Sequence, residues 1–382
     1  MFLVNVAGTD PCFRLDLPLV PEAYRVWMPH MGWNAGRMGN GLADYVFPWF
    51  LFIVGVAIPF SMRSGRGRGR SRGAWILMAF KRAALIYLLG TLLWMASIGY
   101  RPADPGAKWH GPIDWRVLLH WDILPLIGAG YFAGVLAFLC PLWARLAFVA
   151  GVLVFKWVAL TWFVPEGVPG YREMLEAGRS LDHQIKRSLG WFGVLLTQGL
   201  AASSIVVIGT LVGSVIADST TPEARRARTL ALVGAGLSAA ALAWWLLGDL
   251  PFSKDYFTPT YILITTGTGT LLLLAMWHAI DRLGLTTLTP LRVLGANALF
   301  LYILAELVWK TALVRWQVAL PASMQPADAS QPASSIAITA IRAHLGALTT
   351  PCVGAYLTVA GYILVYWLIA RAMHARGWFV KV

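Results

Sequence analysis

The chain has 382 residues, 58% of them hydrophobic and only 13% charged, against about 25% charged in a soluble domain. With a mean hydropathy of +0.64, this composition excludes an ordinary soluble globular protein and points to an all-α polytopic membrane protein. The net charge of +13 does not argue for nucleic-acid binding, because the basic residues sit at loop ends between hydrophobic spans, where they set membrane orientation.

In chain order, the hydropathy pattern gives nine full spans and one fragment, forming a single domain over residues 1–382. The fragment is MFLVNVAG (residues 1–8). It is too short to cross a bilayer, which takes about 20 residues, and it lacks the basic n-region and cleavage site of a signal peptide. It reads as the outer end of a first span whose beginning is missing from this sequence. Residues 9–43 are polar, with scattered Pro and Gly, and form an outer loop. Span two covers residues 43–62 and is followed by the basic loop RSGRGRGRSRG at 63–73, with five arginines. Spans three to eight are expected over 75–100, 117–140, 146–164, 191–217, 230–250 and 258–280. Span nine covers 293–313, and residues 314–350 form an Ala/Ser/Pro-rich outer loop in which IAITAIRAHLGAL could make a short surface helix. Span ten is expected over 353–370, before a basic tail.

The arginine loop fixes the orientation. Placing it in the cytoplasm and alternating the spans puts basic residues densely in short inner loops and sparsely in longer outer ones, as the positive-inside rule requires. The polar stretch before span two is then extracytoplasmic. No repeat of 20–50 residues and no clear inverted repeat is visible, which counts against the common transporter architectures.

Residues able to carry chemistry are few. His30 lies in the outer loop with Trp33, Asn34 and Asp44 nearby. An imidazole can act as base or nucleophile near neutral pH, and a neighbouring carboxylate can set its tautomer. Asp44 opens span two, where a carboxylate also suits a helix N-terminus. His120 and Asp122 are read as one to two turns inside span four, on different sides of the helix. They suit either a structural network or a substrate site. Lys156 is a mid-span cation that calls for a bound anion or an acidic partner. Asn297 and Glu306 share span nine, about 13 Å apart along a straight helix. Walker A, GxSxG, HExxH and metal-ligand spacings do not occur, and GRGRGR lacks the strand and helix context of a nucleotide loop. The arginine loop is placed to meet anionic headgroups or the phosphates of a cytoplasmic ligand. Of the three cysteines, Cys12 and Cys352 fall on the same side and leave room for a disulfide, while Cys140 does not.

The run HMGWN followed by GLADYVFPWFLFIVGVAIPFSM resembles the first core motif of the heparan-α-glucosaminide N-acetyltransferase family of membrane acyltransferases. Three further stretches resemble the family in order: MFLVNVAG with Asn5, QGLAASSIVVIGTLVG, and PFSKDYFTPTYIL with VLGANALFLYILAEL, which includes Asn297. The resemblance implies transfer of an acetyl group from cytoplasmic acetyl-CoA to an amino sugar or glycan across the membrane, without a metal. By this resemblance His30 is the catalytic histidine and Asn5 and Asp44 are its partners. Trp33, Asn34, His120, Asp122, Gln198 and Asn297 are then candidates for the acceptor, and Lys156, Arg63 and Arg66 for acetyl-CoA. Many members are bacterial, which implies a bacterial inner membrane with His30 extracytoplasmic; a homodimer stays open. Two departures stand out. The family signature preceding Asn5 is absent, and Leu-Thr-Gln-Gly at 196–199 replaces Asp-Pro-Glu-Gly, so Gln198 supplies no carboxylate. The competing readings are a transporter or flippase working through Lys156, Glu306, His120 and Asp122, and a non-catalytic relative that binds a partner enzyme.

Overall fold

The computed structural model of the chain describes residues 42–66, 71–98, 119–161, 179–248, 250–285, 289–308, 317–319 and 334–380. Asn5, His30, Trp33 and Asn34 lie outside them, as does Cys12. Cys352 is disulfide-bonded, and Cys140 is free.

The fold is helical, as the composition requires. In chain order it contains α1 (Leu42–Arg66), α2 (Arg72–Ile98), α3 (Ile123–Phe138), α4 (Leu142–Thr161) and the short α5 (Leu181–Leu189). Then come α6 (Trp191–Ala217) and α7 (Glu223–Gly248), and α8 (Pro259–Arg282). α9 (Thr289–Ala296), α10 (Ala298–Val308), α11 (Ala337–Leu348) and α12 (Pro351–Ala375) complete the set. Seven of these helices are long and apolar enough to cross a membrane, or eight if α9 and α10 form one span. The protein is an integral membrane protein of the all-α polytopic class.

α6 is the central helix. Two-thirds of its apolar window is buried (67%), against 17% for the peripheral α7. Its sequence explains the position, because Gly209 and Gly213 form a GxxxG pair that lets helix backbones touch. A Cβ at Gly209 would overlap the carbonyl of Phe52, and one at Gly213 that of Val56. From the other side, a Cβ at Gly55 would overlap the carbonyl of Val206. Leu51, Phe52, Ile58 and Met62 of α1 thus form one core with Ala201, Ala202, Ile205 and Val206 of α6. α3, α4 and α8 pack around this pair. α9, α10 and α12 share a smaller cluster of Val293, Leu301, Ala305, Tyr366 and Ala370.

Three expectations need correction. Span four does not start near 117: α3 begins at Ile123, with Asp122 as its N-cap (φ −131°) accepting the Ile123 N–H at 2.8 Å. His120 and Asp122 therefore precede the helix rather than lying inside it. α3 has 16 residues, about 24 Å of rise. Span nine is not one straight helix either; it bends by 77° between α9 and α10, so the 13 Å rise from Asn297 to Glu306 holds only along α10. The third is a two-stranded antiparallel ribbon, Gln317–Ala319 with Ser334–Ile336, inside the stretch expected to be an Ala/Ser/Pro-rich loop. The surface helix expected there is α11.

Candidate active site

α1 runs from a face marked by Asp44 to a face marked by Arg63, and the site candidates divide between these two ends. At the Asp44 face, the short connection from α7 to α8 is folded tightly upon itself. The Thr258 hydroxyl donates to the Pro251 carbonyl at 2.8 Å, and the Thr260 hydroxyl does the same at 2.8 Å. The Ser253 N–H donates to Thr258 Oγ1 at 3.1 Å, and the Thr258 N–H to the Ser253 carbonyl at 3.2 Å. Thr258 also N-caps α8, where Pro259 fits the first turn. Inside this frame Phe257 adopts φ +47°, a left-handed conformation that a bulky L-residue takes at a cost. Its ring is held edge-on by Phe47 at 6.1 Å and by Tyr261 at 6.0 Å. The strained turn thereby presents Lys254 and Asp255 toward α1 and α6.

Asp44 is 2% exposed and sits in the first turn of α1, where the helix dipole favours a carboxylate. The hydroxyl of the fully buried Tyr261 donates to the Asp44 carbonyl at 2.5 Å. Lys254 Nζ stands 3.9 Å from Asp44 Oδ1. The neighbouring Asp255 offers its carbonyl to Gln198 Nε2 at 3.4 Å. Gln198 itself lies in a π-helical turn, Leu195–Gly199, that interrupts the start of α6; such turns recur at functional sites. Asp44 and Gln198 are brought to one place by the turn that carries Lys254.

His120 and Asp122 lie at the same face, in a neighbouring aromatic cluster. The His120 ring stacks on Trp94 with centroids 3.6 Å apart. Trp121 Nε1 donates to the Trp191 carbonyl at 3.1 Å, and Trp191 Nε1 to the Tyr87 hydroxyl at 2.9 Å. Lys156 belongs to a separate buried network. Its ammonium is paired with Asp182 of α5, both side chains being fully buried, and Lys186 reaches the second carboxylate oxygen at 2.7 Å. Burial alone would raise the Asp182 pKa, but the Lys156 and Lys186 charges hold it below the usual carboxylate range. Lys156 thus has the acidic partner its position called for.

The remaining candidates occupy the opposite face. Arg63 is exposed near the end of α1 and adds to the hydrogen bonds from Thr220 and Thr221 that hold Asp218 at about 2. Arg66 is the last residue of α1. Asn297, at the bend between α9 and α10, donates to the Trp378 carbonyl and accepts the Val380 N–H, each at 2.9 Å. It fastens the C-terminal tail to the bend. Among the described residues no group of three metal-ligating side chains converges.

Lys254, Tyr261 and Asp182 were not singled out from sequence. Asp182 had a readable signal in the demand of Lys156 for a counter-charge. Lys254 had a weaker one, a charged pair in a short Pro- and Thr-flanked connection.

No known protein-family model matches the chain. In an alignment that covers 77% of its length, it is 24% identical to the mouse protein named heparan-alpha-glucosaminide N-acetyltransferase. In an alignment that covers 76% of its length, it is 23% identical to the human protein of the same name. The chain spans about half the length of these curated relatives, 51% and 50%. Over about three quarters of its length the chain is thus similar to relatives named heparan-alpha-glucosaminide N-acetyltransferase.

Proposed function

We propose that the protein transfers an acetyl group from acetyl-CoA, admitted at the arginine face, to an amino sugar or glycan at the Asp44 face. The observation that carries this reading is the convergence of Asp44, Lys254, Asp255 and Gln198 at one end of the bundle, opposite the exposed Arg63. The relatives' name, N-acetyltransferase, supports the reaction class.

A groove between α1, α2 and α3 supports a route for the donor. Its cavity volume is about 220 Å³, and it extends from Ser61, Met62 and Trp75 near the arginine face to Phe50 and Ile127. Phe50 lies six residues from Asp44, about 9 Å along α1. The walls are apolar apart from Ser61, Arg82 and Tyr131, and Arg82 Nη1 lies 3.5 Å from the Tyr131 hydroxyl. A thioester arm fits such a surface, with its phosphates left at the arginine face beside Arg63.

In the chemistry, His30 removes a proton from the acceptor amine or carries the acetyl group itself, and Asp44 orients the imidazole. Gln198 takes up the acceptor as a neutral hydrogen-bonding group, where a carboxylate would bind a sugar ammonium. Of the four residues behind the transporter reading, Lys156 is matched by Asp182 within the bundle. The test is incubation of membranes containing the protein with radiolabelled acetyl-CoA and glucosamine. Labelled N-acetylglucosamine is expected, and His30→Ala is expected to abolish it. Gradient-driven solute uptake without any need for acetyl-CoA would favour the transporter.

A further inference from the structure

We infer that Lys254 is a further catalytic residue of this site, the cation that faces the oxyanion formed when the acetyl carbonyl is attacked. The inference rests on the acetyl-transfer reading of the same site. Three observations lead to it.

The first is placement. Lys254 is carried at the tip of a turn whose every strut is accounted for: Thr258 and Thr260 on Pro251, Ser253 on Thr258, and Phe257 at φ +47° clamped between Phe47 and Tyr261. A strained, fully braced turn is a means of holding one side chain in a fixed direction. Here the direction is toward Asp44.

The second is availability. At 3.9 Å the Lys254–Asp44 pair is electrostatic, beyond hydrogen-bonding distance. Among the described residues no hydrogen bond takes up the ammonium's three donors. The side chain is 26% exposed, so it borders the open side of the site while its partner carboxylate is 3% exposed. Lys156 and Lys186, by contrast, are both engaged by Asp182.

The third is the charge the reaction creates. A nitrogen lone pair forms a C–N bond to the thioester carbon, and the carbonyl π pair moves onto oxygen. Collapse returns that pair, breaks the C–S bond and releases the thiolate of CoA; the proton lost by an acceptor amine passes to His30 and on to the thiolate. The same oxyanion arises whether the attacking nitrogen belongs to the acceptor or to His30. A fixed donor aimed at that oxygen lowers the barrier most in a site shielded from water. Among the described residues, the group recorded against Lys254 is Asp44 of α1; Gln198 of α6 reaches the carbonyl of the next residue, Asp255, and Tyr261 of α8 the carbonyl of Asp44, and none of these is a second cation.

The test compares Lys254→Met, Lys254→Gln and Lys254→Arg in membranes, using acetyl-CoA and glucosamine, with melting temperature measured on the extracted protein. Removing one oxyanion donor costs about 10²–10³-fold in kcat. The expected result is a loss of that order in Lys254→Gln and Lys254→Met at folded-protein melting temperature, with KM for acetyl-CoA changed less than about 3-fold, and recovery of at least a tenth of the activity in Lys254→Arg. If Lys254→Met fails to fold, the Gln and Arg variants decide. Equal kcat in Lys254→Gln and wild type, or a loss confined to KM, would overturn the inference while leaving the acetyl-transfer reading intact. Wild-type membranes that make no N-acetyl product would overturn that reading, and the role of Lys254 with it.

Discussion

Lys156 of α4 and Asp182 of α5 are ion-paired where both side chains are wholly buried. This contact ties a helix lying outside the spans to one within them. Breaking a buried pair by removing one partner costs about 3–5 kcal/mol, because the other charge is stranded. Asp182→Asn strands two ammonium groups, whereas Lys156→Met leaves Asp182 with Lys186. Thermal melting of extracted protein is expected to show Asp182→Asn as the more destabilised. Lys156→Met with Asp182→Leu should recover part of the loss.

The same carboxylate sets a pH dependence. Its folded pKa lies below the ordinary value, which is about 3.9 for an unfolded Asp. The folded state therefore binds the proton less readily than the unfolded one. The stability that follows is fully present above about pH 4–5 and is lost as pH falls through the folded value. Melting temperature measured from pH 7 down to pH 3 should drop more steeply at the acid end in wild type than in the Lys156→Met, Asp182→Leu variant. Parallel curves would contradict this.

Tyr261 reaches Asp44 through the backbone rather than through the carboxylate. Tyr261→Phe leaves a buried carbonyl without that donor, at a cost of about 1–3 kcal/mol, and loosens the start of α1 beside the reacting groups. Activity should fall more than binding of acetyl-CoA, and KM for acetyl-CoA should stay close to wild type. A rise in that KM alone would place Tyr261 on the donor side instead.

The groove between α1, α2 and α3 gives an independent handle on the donor. Val54→Trp or Ile86→Trp would fill much of its volume of about 220 Å³ without touching Asp44 or Lys254. The expected effect is roughly a tenfold rise in KM for acetyl-CoA, since about 1.4 kcal/mol of lost binding corresponds to a factor of ten. An unchanged KM in well-folded variants would remove the groove from the donor route.

The helices were legible because a bilayer imposes a length on apolar runs, and α1, α2, α6, α7, α8 and α12 follow that length. The misread ends have local causes. Asp122 followed by Pro125 is an N-cap signal, outweighed in the hydropathy pattern by the apolar run VLL just before His120. The 77° bend at Asn297 leaves no Pro or charge in the sequence; it is held by the tail residues Trp378 and Val380, some 80 positions away. In the site, Asp44 and Gln198 could be named from their motifs, but what joins them could not. The π turn around Gln198 and the left-handed Phe257 are products of tertiary packing, and no spacing announces them. Lys254 had only the weak signal of a charged pair in a short connection, and its place beside Asp44 becomes visible once that turn is folded.

The proposed transfer crosses the membrane, from a donor at one face to an acceptor at the other. Proteoliposomes that enclose acetyl-CoA and are bathed in glucosamine test it directly. N-acetylglucosamine should appear outside intact vesicles, CoA should accumulate within, and His30→Ala should stop both. Product that forms only when acetyl-CoA and glucosamine share a compartment would rule out transfer across the bilayer.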